Sequence, residues 1–275
     1  MNELKKDSPL VMGIINCTPD SFFSGSRKEV PAAATETAAR MITDGAEMLD
    51  IGGESTRPGS SYISLEEELE RTIPVIKAIR ALPSSKGIQI SIDTRKRRVA
   101  EAALDAGADI INDISALRDD PDMTALAAER GCPVVIMHML GTPENMQKNP
   151  SYENVVEEVK LFLLNIVEKA AAAGVESSKI ILDPGIGFGK RQEDNLALIR
   201  HIDAFAVDGH SVLIGLSRKS FIGKILNDAP PEERLIGSLA ANGWCVTRGA
   251  RILRVHDVKE TVQMVRVLKE IQWIG

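Results

Sequence analysis

Eight short apolar runs, each closing on a polar or glycine-rich turn, recur along the chain at intervals of about 30 residues, the length of a strand-helix repeat. They lie at Leu10 to Asn16, Met48 to Gly52, Gln89 to Asp93, Ile110 to Ser115, Pro133 to His138, Ile180 to Asp183, Val212 to Ser217 and Arg251 to Val255. Their near-continuous apolar character is that of parallel strands buried on both faces. Between them the period changes to that of helices. From Tyr152 to Ala173, Val155, Val159, Phe162, Ile166 and Ala170 recur at helical spacing and Gly174 supplies a stop. Another helix opens on a capping box, Ser64 to Glu67, and carries Pro74, which predicts a kink. The fragments Asp44 to Asp50 and Asp105 to Asn112 repeat one joint, a helix closing on glycine before a buried strand.

Strand and helix alternate from Leu10 to Ile271 without a linker, which predicts one domain over residues 1–275, with 1–8 as a short N-terminal extension. The fold class is α/β, a closed (β/α)8 TIM barrel. In such a barrel the C-terminal ends of all strands face one mouth. Asn16, Asp93, Asn112, Asp183, Lys219, Arg254 and His256, at or just past those ends, therefore become neighbours around one pocket. The connections at Cys17 to Val30, Glu54 to Ser64 and Met139 to Ser151 are long and rich in Gly, Pro and Ser, as expected of active-site loops.

Composition narrows the function classes. No apolar run approaches the roughly 18 residues of a membrane span, and Met1 to Ser8 is charged, without the apolar core of an export signal. Cys17, Cys132 and Cys245 lie far apart with no CxxC pair, arguing against a disulfide framework and a structural zinc site. A cytoplasmic protein is expected. A net charge of −6 and no basic stripe exclude a nucleic-acid surface, so an anionic ligand needs a local cluster.

Such a cluster is offered by the last run. Alternation puts Arg254 and His256 on one strand face, a plausible anion site; a solvated pair is the plainer reading. Asn16 opens Asn-Cys-Thr-Pro-Asp-Ser-Phe22, and its amide oxygen suits Mg²⁺ shared with phosphate oxygens, the alternative being a turn-forming Asn. Asp93, Asp183 and Asn112 together can read a flat heterocycle with adjacent N–H donors, because a carboxylate accepts two parallel hydrogen bonds. Lys219 can form a Schiff base or donate to a ligand, and the second fits better beside Arg218. Ser220 begins the next helix, where a carboxylate is favoured. His201 and His210 read as surface residues, while His138 is ambiguous. Gly52-Gly53 and Gly185-Ile-Gly-Phe-Gly189 lack the context of nucleotide loops and read as loop bends.

These residues sit in blocks that resemble the dihydropteroate synthases, the folate-pathway family targeted by sulfonamides. The blocks are Asn16 to Phe22, Asp50-Ile-Gly-Gly-Glu-Ser-Thr-Arg-Pro-Gly59, Ser91-Ile-Asp-Thr94, Ile111-Asn-Asp-Ile114, Asp183 to Gly189, Ser217-Arg-Lys-Ser220 and Arg254-Val-His-Asp257. The resemblance covers nearly the whole chain. It implies two small-molecule substrates, 6-hydroxymethyl-7,8-dihydropterin diphosphate and 4-aminobenzoate, joined to 7,8-dihydropteroate with loss of diphosphate. By motif, Asp93, Asn112, Met137, Asp183, Phe188, Gly215 and Lys219 would line the pterin pocket. Asn16, Arg57, Arg254 and His256 would hold diphosphate, with Asn16 also meeting Mg²⁺. Phe22, Thr56, Pro58, Lys219 and Ser220 would frame the aminobenzoate. The resemblance assigns catalysis to Asp93, Lys219, Arg254 and His256, and implies a homodimer to which Arg234 to Arg248 could supply an interface helix.

One block departs from the family. After Asp-Ser-Phe, Ser-Asp-Gly-Gly is usual, whereas this chain reads Phe23-Ser24-Gly25-Ser26-Arg27 and loses the loop acid; Asp20 remains, and Arg27 could add an anion contact. Two other classes share parts of the pattern: pterin-binding methyltransferases, which need no diphosphate site, and a non-catalytic pterin-binding paralogue.

Overall fold

The structure, a computed structural model, describes residues 8–18, 30–56 and 59–272. Phe22, Arg57 and Pro58, together with Asp20 and Phe23 to Arg27, lie outside the described residues. Eight strands, β1 (Leu10–Asn16), β2 (Met48–Gly52), β3 (Gln89–Asp93), β4 (Ile110–Asp113), β5 (Val134–Met137), β6 (Ile180–Asp183), β7 (Ser211–Ile214) and β8 (Ile252–Val255), pair in sequence order. All pairs are parallel, and β8 closes on β1 with Leu10 opposite Ile252 and Gly13 opposite Val255. This is the (β/α)8 barrel that the periodicity predicts.

Helices α1 (Val30–Thr43), α2 (Leu65–Arg80), α3 (Arg97–Asp105), α4 (Met123–Arg130), α5 (Val155–Ala172), α6 (Gln192–Arg200), α7 (Ser220–Ile225), α8 (Leu235–Thr247) and α9 (Val258–Gln272) surround it. Ser64 caps α2 by accepting from the Glu67 N–H, and the helix runs on through Pro74 to Arg80. Several boundaries are tighter than the apolar pattern suggests. β4 stops at Asp113 because that side chain accepts the N–H groups of Ser115 and Leu117 and turns the backbone away, leaving Ala116 and Leu117 left-handed. β5 starts after Pro133, which has no N–H to give a ladder. The helix expected from Tyr152 begins at Val155, capped by Asn154, which frees the Tyr152 hydroxyl to donate to the Gly189 carbonyl.

The barrel interior is stacked in layers. Met12, Met48, Ile110, Val135, Ile181, Leu213 and Ile252 form an apolar plug near its base, each side chain contributing about 1.5–3 kcal/mol by its burial. Side chains alternate along a strand, so the next inward position lies two residues on. Those positions are Ile14, Asp50, Asn112, Met137, Asp183, Gly215 and Arg254. One step along the period converts a dry plug into a polar floor, and that floor is the site.

Candidate active site

The floor is organised by Arg254. Its Nε donates to Asp50 Oδ2 at 2.6 Å and its Nη2 to Asp93 Oδ2 at 2.9 Å, while Asn112 Nδ2 donates to the same Asp50 oxygen at 3.2 Å. Asp50 is fully buried and Asp93 nearly so. Burial pushes the Asp93 carboxyl up to about 7 against the pull of Arg254, with the Asp50 charge adding to the rise. Asp50 Oδ1 and, on the neighbouring strand in register with it, Ser91 Oγ are buried without a protein partner. Both keep hydrogen-bonding capacity that no protein group uses.

Opposite stands Asp183, whose Oδ1 accepts the Gly185 N–H at 2.7 Å and whose pKa is raised by burial, opposed chiefly by Lys219. Lys219 Nζ donates to the Ile186 carbonyl and stands 4.5 Å from the centre of the Phe188 ring. Burial draws its ammonium down to about 8, with Asp183 resisting and Arg254 assisting. Phe188 packs with Ile114, Met137, Met139 and Met146, a methionine-rich apolar wall beside the acids. Lys190, 3% exposed, is tied to this wall: its Nζ lies 2.9 Å from His138 Nδ1 and donates to the Phe188 carbonyl at 3.0 Å. Burial lowers Lys190 to about 7 and His138 to about 2, so His138 is neutral.

The segment after β2 is anchored beside Asp93. Arg95 is 6% exposed and pairs with Glu54 and, at 2.8 Å, with Asp119. It also lies 3.8 Å from the centre of the Tyr62 ring, and the Tyr62 hydroxyl reaches Asp119 at 3.3 Å. Glu54 in turn accepts from Ile63 N at 3.1 Å and pairs with Lys96. Burial and these partners oppose one another at Glu54, and the N–H, Arg95 and Lys96 prevail, holding its pKa below the usual range. Thr56 lines a small cavity with Glu54, Glu68, Asp93, Thr94, Arg95 and Ile114.

The strand-end assignment thus brings Asp93, Asn112, Arg254, Asp183 and Lys219 to one mouth, with Met137 and Phe188 in its wall. Gly215 leaves room for Arg254, whose Cβ and Cδ would stand 4.0 Å from an added methyl. Asn16 ends β1 beside Gly52. His256 lies past β8 at the exposed rim, its Nδ1 3.0 Å from Ser217 Oγ. Ser220 is exposed at the start of α7. Arg218 points elsewhere, pairing with Asp257. His210 corrects its surface reading: it is 7% exposed, with Nδ1 3.1 Å from the Ile180 carbonyl. His201 is exposed as expected. Sequence reasoning passed over Asp50, Lys190 and Arg95. Asp50 carried a signal, an acid in the middle of the apolar run Met-Leu-Asp-Ile-Gly, which burial obliges to find a partner.

Among the described residues, no three His, Cys, Asp or Glu side chains converge as a metal cage. Asn16 supplies one hard oxygen. That donor set fits a Mg²⁺ ion completed by phosphate oxygens and water rather than an all-protein site.

A floor of acids under a single arginine, walled by methionine and phenylalanine in a parallel barrel, is the architecture of a pterin-reading enzyme. The family described as pterin-binding enzymes matches residues 12–256. The dihydropteroate synthase of Synechocystis is 45% identical over 257 residues, 94% of this chain and 88% of its own. A Xanthomonas albilineans dihydropteroate synthase structure with 4-aminobenzoic acid superposes with a TM-score of 0.91 at 43% identity, covering 98% of this chain and 95% of that one. Another from that organism, in complex with 7,8-dihydropteroate, gives 0.87 at 40% identity over 98% and 95%. The chain belongs to the dihydropteroate synthase family of pterin-binding enzymes.

Proposed function

We propose that this chain condenses 6-hydroxymethyl-7,8-dihydropterin diphosphate with 4-aminobenzoate, giving 7,8-dihydropteroate and diphosphate. The observation that carries the reading is the Asp50, Asp93, Asn112 and Arg254 constellation facing Asp183 and Lys219, which offers acceptors to a pterin's N–H groups and cations to its leaving group. The C–O bond to diphosphate breaks with its electron pair leaving on oxygen. The amine nitrogen then donates its lone pair to the methylene carbon and releases a proton. Asp93 as carboxylate stabilises the cationic pterin, while Asp183 and Asn112 orient the ring. Arg254 spends two of its five N–H groups on Asp50 and Asp93, and its Nη1 remains to meet the departing oxygens. Lys219, with Ser220 beside it, holds the aminobenzoate side, and His256 adds a donor at the rim for diphosphate.

In this reading Asn16 would hold Mg²⁺ together with the substrate's diphosphate, and the ion would supply positive charge against the leaving group. Arg57 would join the diphosphate contacts, and Phe22, Pro58 and Thr56 the aminobenzoate contacts.

The partner surface of this reading is a second copy of the chain. Ile236 and Trp244 on α8 and Val267 and Ile271 on α9 are large apolar side chains 44–79% exposed on two helices that pack together, and a homodimer would cover them. Three free, buried cysteines suit a reducing cytoplasm, and no helix among the described residues is long and apolar enough to cross a membrane.

The test is product formation with and without Mg²⁺. Dihydropteroate formed only with the metal supports the reading. Tight binding of the pterin diphosphate with no product from aminobenzoate would point to a non-catalytic paralogue.

A further inference from the structure

The segment 185–189 forms the wall between Asp183 and Lys219, and its backbone polar groups are nearly all spoken for. Gly185 N donates to Asp183, the Ile186 carbonyl accepts from Lys219, and Phe188 N donates to the Gly185 carbonyl at 3.1 Å. Gly187 donates to Asn195 Oδ1 at 2.6 Å and accepts from Gln147 at 2.8 Å, and Gly189 accepts from the Tyr152 hydroxyl at 2.7 Å. The Phe188 carbonyl is left to Lys190. The wall also has no space to relax backwards. A methyl group on Gly185 would stand 1.9 Å from the His138 carbonyl oxygen, and one on Gly189 2.7 Å from Leu140 Cβ.

We propose that Lys190 is a positioning residue for pterin binding: by tying the Phe188 carbonyl to His138 it fixes the face that the Phe188 ring presents to the pterin. The proposal rests on the pterin reading given above. The Lys190 ammonium has three N–H groups and three acceptors, namely His138 Nδ1 at 2.9 Å, the His138 carbonyl at 3.3 Å and the Phe188 carbonyl at 3.0 Å. His138 then carries its proton on Nε2 and accepts through Nδ1. Its ring is seated edge-on against Phe162, with centroids 4.8 Å apart, so the acceptor is itself held still. The chain running out of β5 is thereby strapped to the chain running out of β6. A lysine only 3% exposed behind a binding wall carries a desolvation cost that the packing of a structural core does not require. Its bond to the Phe188 carbonyl accounts for its place.

The experiment measures the dissociation constant of 6-hydroxymethyl-7,8-dihydropterin, which lacks the diphosphate, and the KM for aminobenzoate, in wild type, Lys190→Met and His138→Phe. Lys190→Met keeps the stem and removes the donors. His138→Phe keeps the ring packing and removes one acceptor. The expected result is a pterin dissociation constant raised about tenfold in Lys190→Met, a factor set by loss of one charge-assisted bond, with aminobenzoate KM within a factor of about two. His138→Phe should shift the pterin constant in the same direction by about threefold, and it decides the matter if Lys190→Met does not fold. A lowered melting temperature with an unchanged pterin constant in a folded variant would overturn the proposal. An equal rise in both substrate constants would overturn it too. If wild type itself does not bind this pterin, the functional reading fails instead.

Discussion

Arg254 Nη2 stands 2.9 Å from Asp93 Oδ2, although 161 positions separate the two residues along the chain. The same guanidinium bonds Asp50 through Nε, so one cation at the floor of the barrel is shared by two buried acids. Removing the cation leaves two largely buried acids without their counter-charge. Arg254→Met is expected to lower stability by about 3–5 kcal/mol, the cost of breaking a buried pair, in urea unfolding at neutral pH. It should also reduce turnover by about 100-fold or more. A variant as stable and as active as wild type would show that the pair does neither job.

Two titrations bracket activity. Asp93 acts as a carboxylate and is pushed up to about 7, while Lys219 acts as an ammonium and is drawn down to about 8. In free enzyme kcat/KM should therefore rise as pH passes about 7 and fall as it passes about 8, a narrow bell. Lys219→Ala should abolish the falling limb along with most of the activity. A kcat/KM profile flat from about pH 6 to 9 would remove both groups from the reaction.

Asp93 also ties stability to pH. Its folded pKa, about 7, lies above its ordinary 3.8. Between those values the folded state holds a proton that the unfolded chain has released, so unfolding free energy from this group falls as pH rises. The contribution is complete below about pH 4 and gone above about 7. Asp93→Asn, which cannot ionise, should thus gain on wild type steadily from pH 4 to 7 in denaturant titrations. A constant difference across that window would contradict the raised pKa.

The barrel was legible because every strand is an apolar run and most of the mouth residues lie at or beside a run's end. The register that selects Asn112, Asp183 and Arg254 is the same period-two alternation that builds the plug beneath them. Asp50 was harder to read, since its meaning depends on Arg254, 204 positions away. His210 was misread because polarity alone suggests a surface, whereas the Ile180 carbonyl satisfies its ring inside. Lys190 and Arg95 belong to contacts between loops, and no local period encodes those. The loop that departs from the family pattern, around Ser24, lies outside the described residues.

Two glycines separate conformational strain from lack of space. Gly185 and Gly209 both have left-handed φ, at +68° and +79°, but an added Cβ meets the His138 carbonyl at Gly185 and nothing within 4 Å at Gly209. Gly209→Ala should cost only the backbone penalty, about 1 kcal/mol. Gly185→Ala must also displace the wall from the segment after β5, and should cost at least about 2 kcal/mol more while weakening pterin binding. Equal losses in urea unfolding would mean that the wall gives way freely.

Arg95 holds the segment after β2 by charge and by stacking. Tyr62 lies over its guanidinium while Glu54 pairs with it, and Ile63 N donates to Glu54, so both ends of the segment close on one side chain. Thr56, assigned to the aminobenzoate side, sits between these ends and lines the cavity next to Asp93. Tyr62 is 48% exposed, so Tyr62→Ala should fold normally. Loss of a cation–π contact of about 1 kcal/mol should raise the aminobenzoate KM about fivefold, and Tyr62→Phe, which keeps the ring, should restore most of it. Asp93, Asn112 and Asp183 lie on strands that the substitution does not touch, so affinity for the diphosphate-free pterin should stay within a factor of about two. Steady-state kinetics with aminobenzoate varied, beside direct binding of that pterin, separates the two sides of the mouth. An unchanged aminobenzoate KM in Tyr62→Ala would show that the stacked pair does not govern where Thr56 stands.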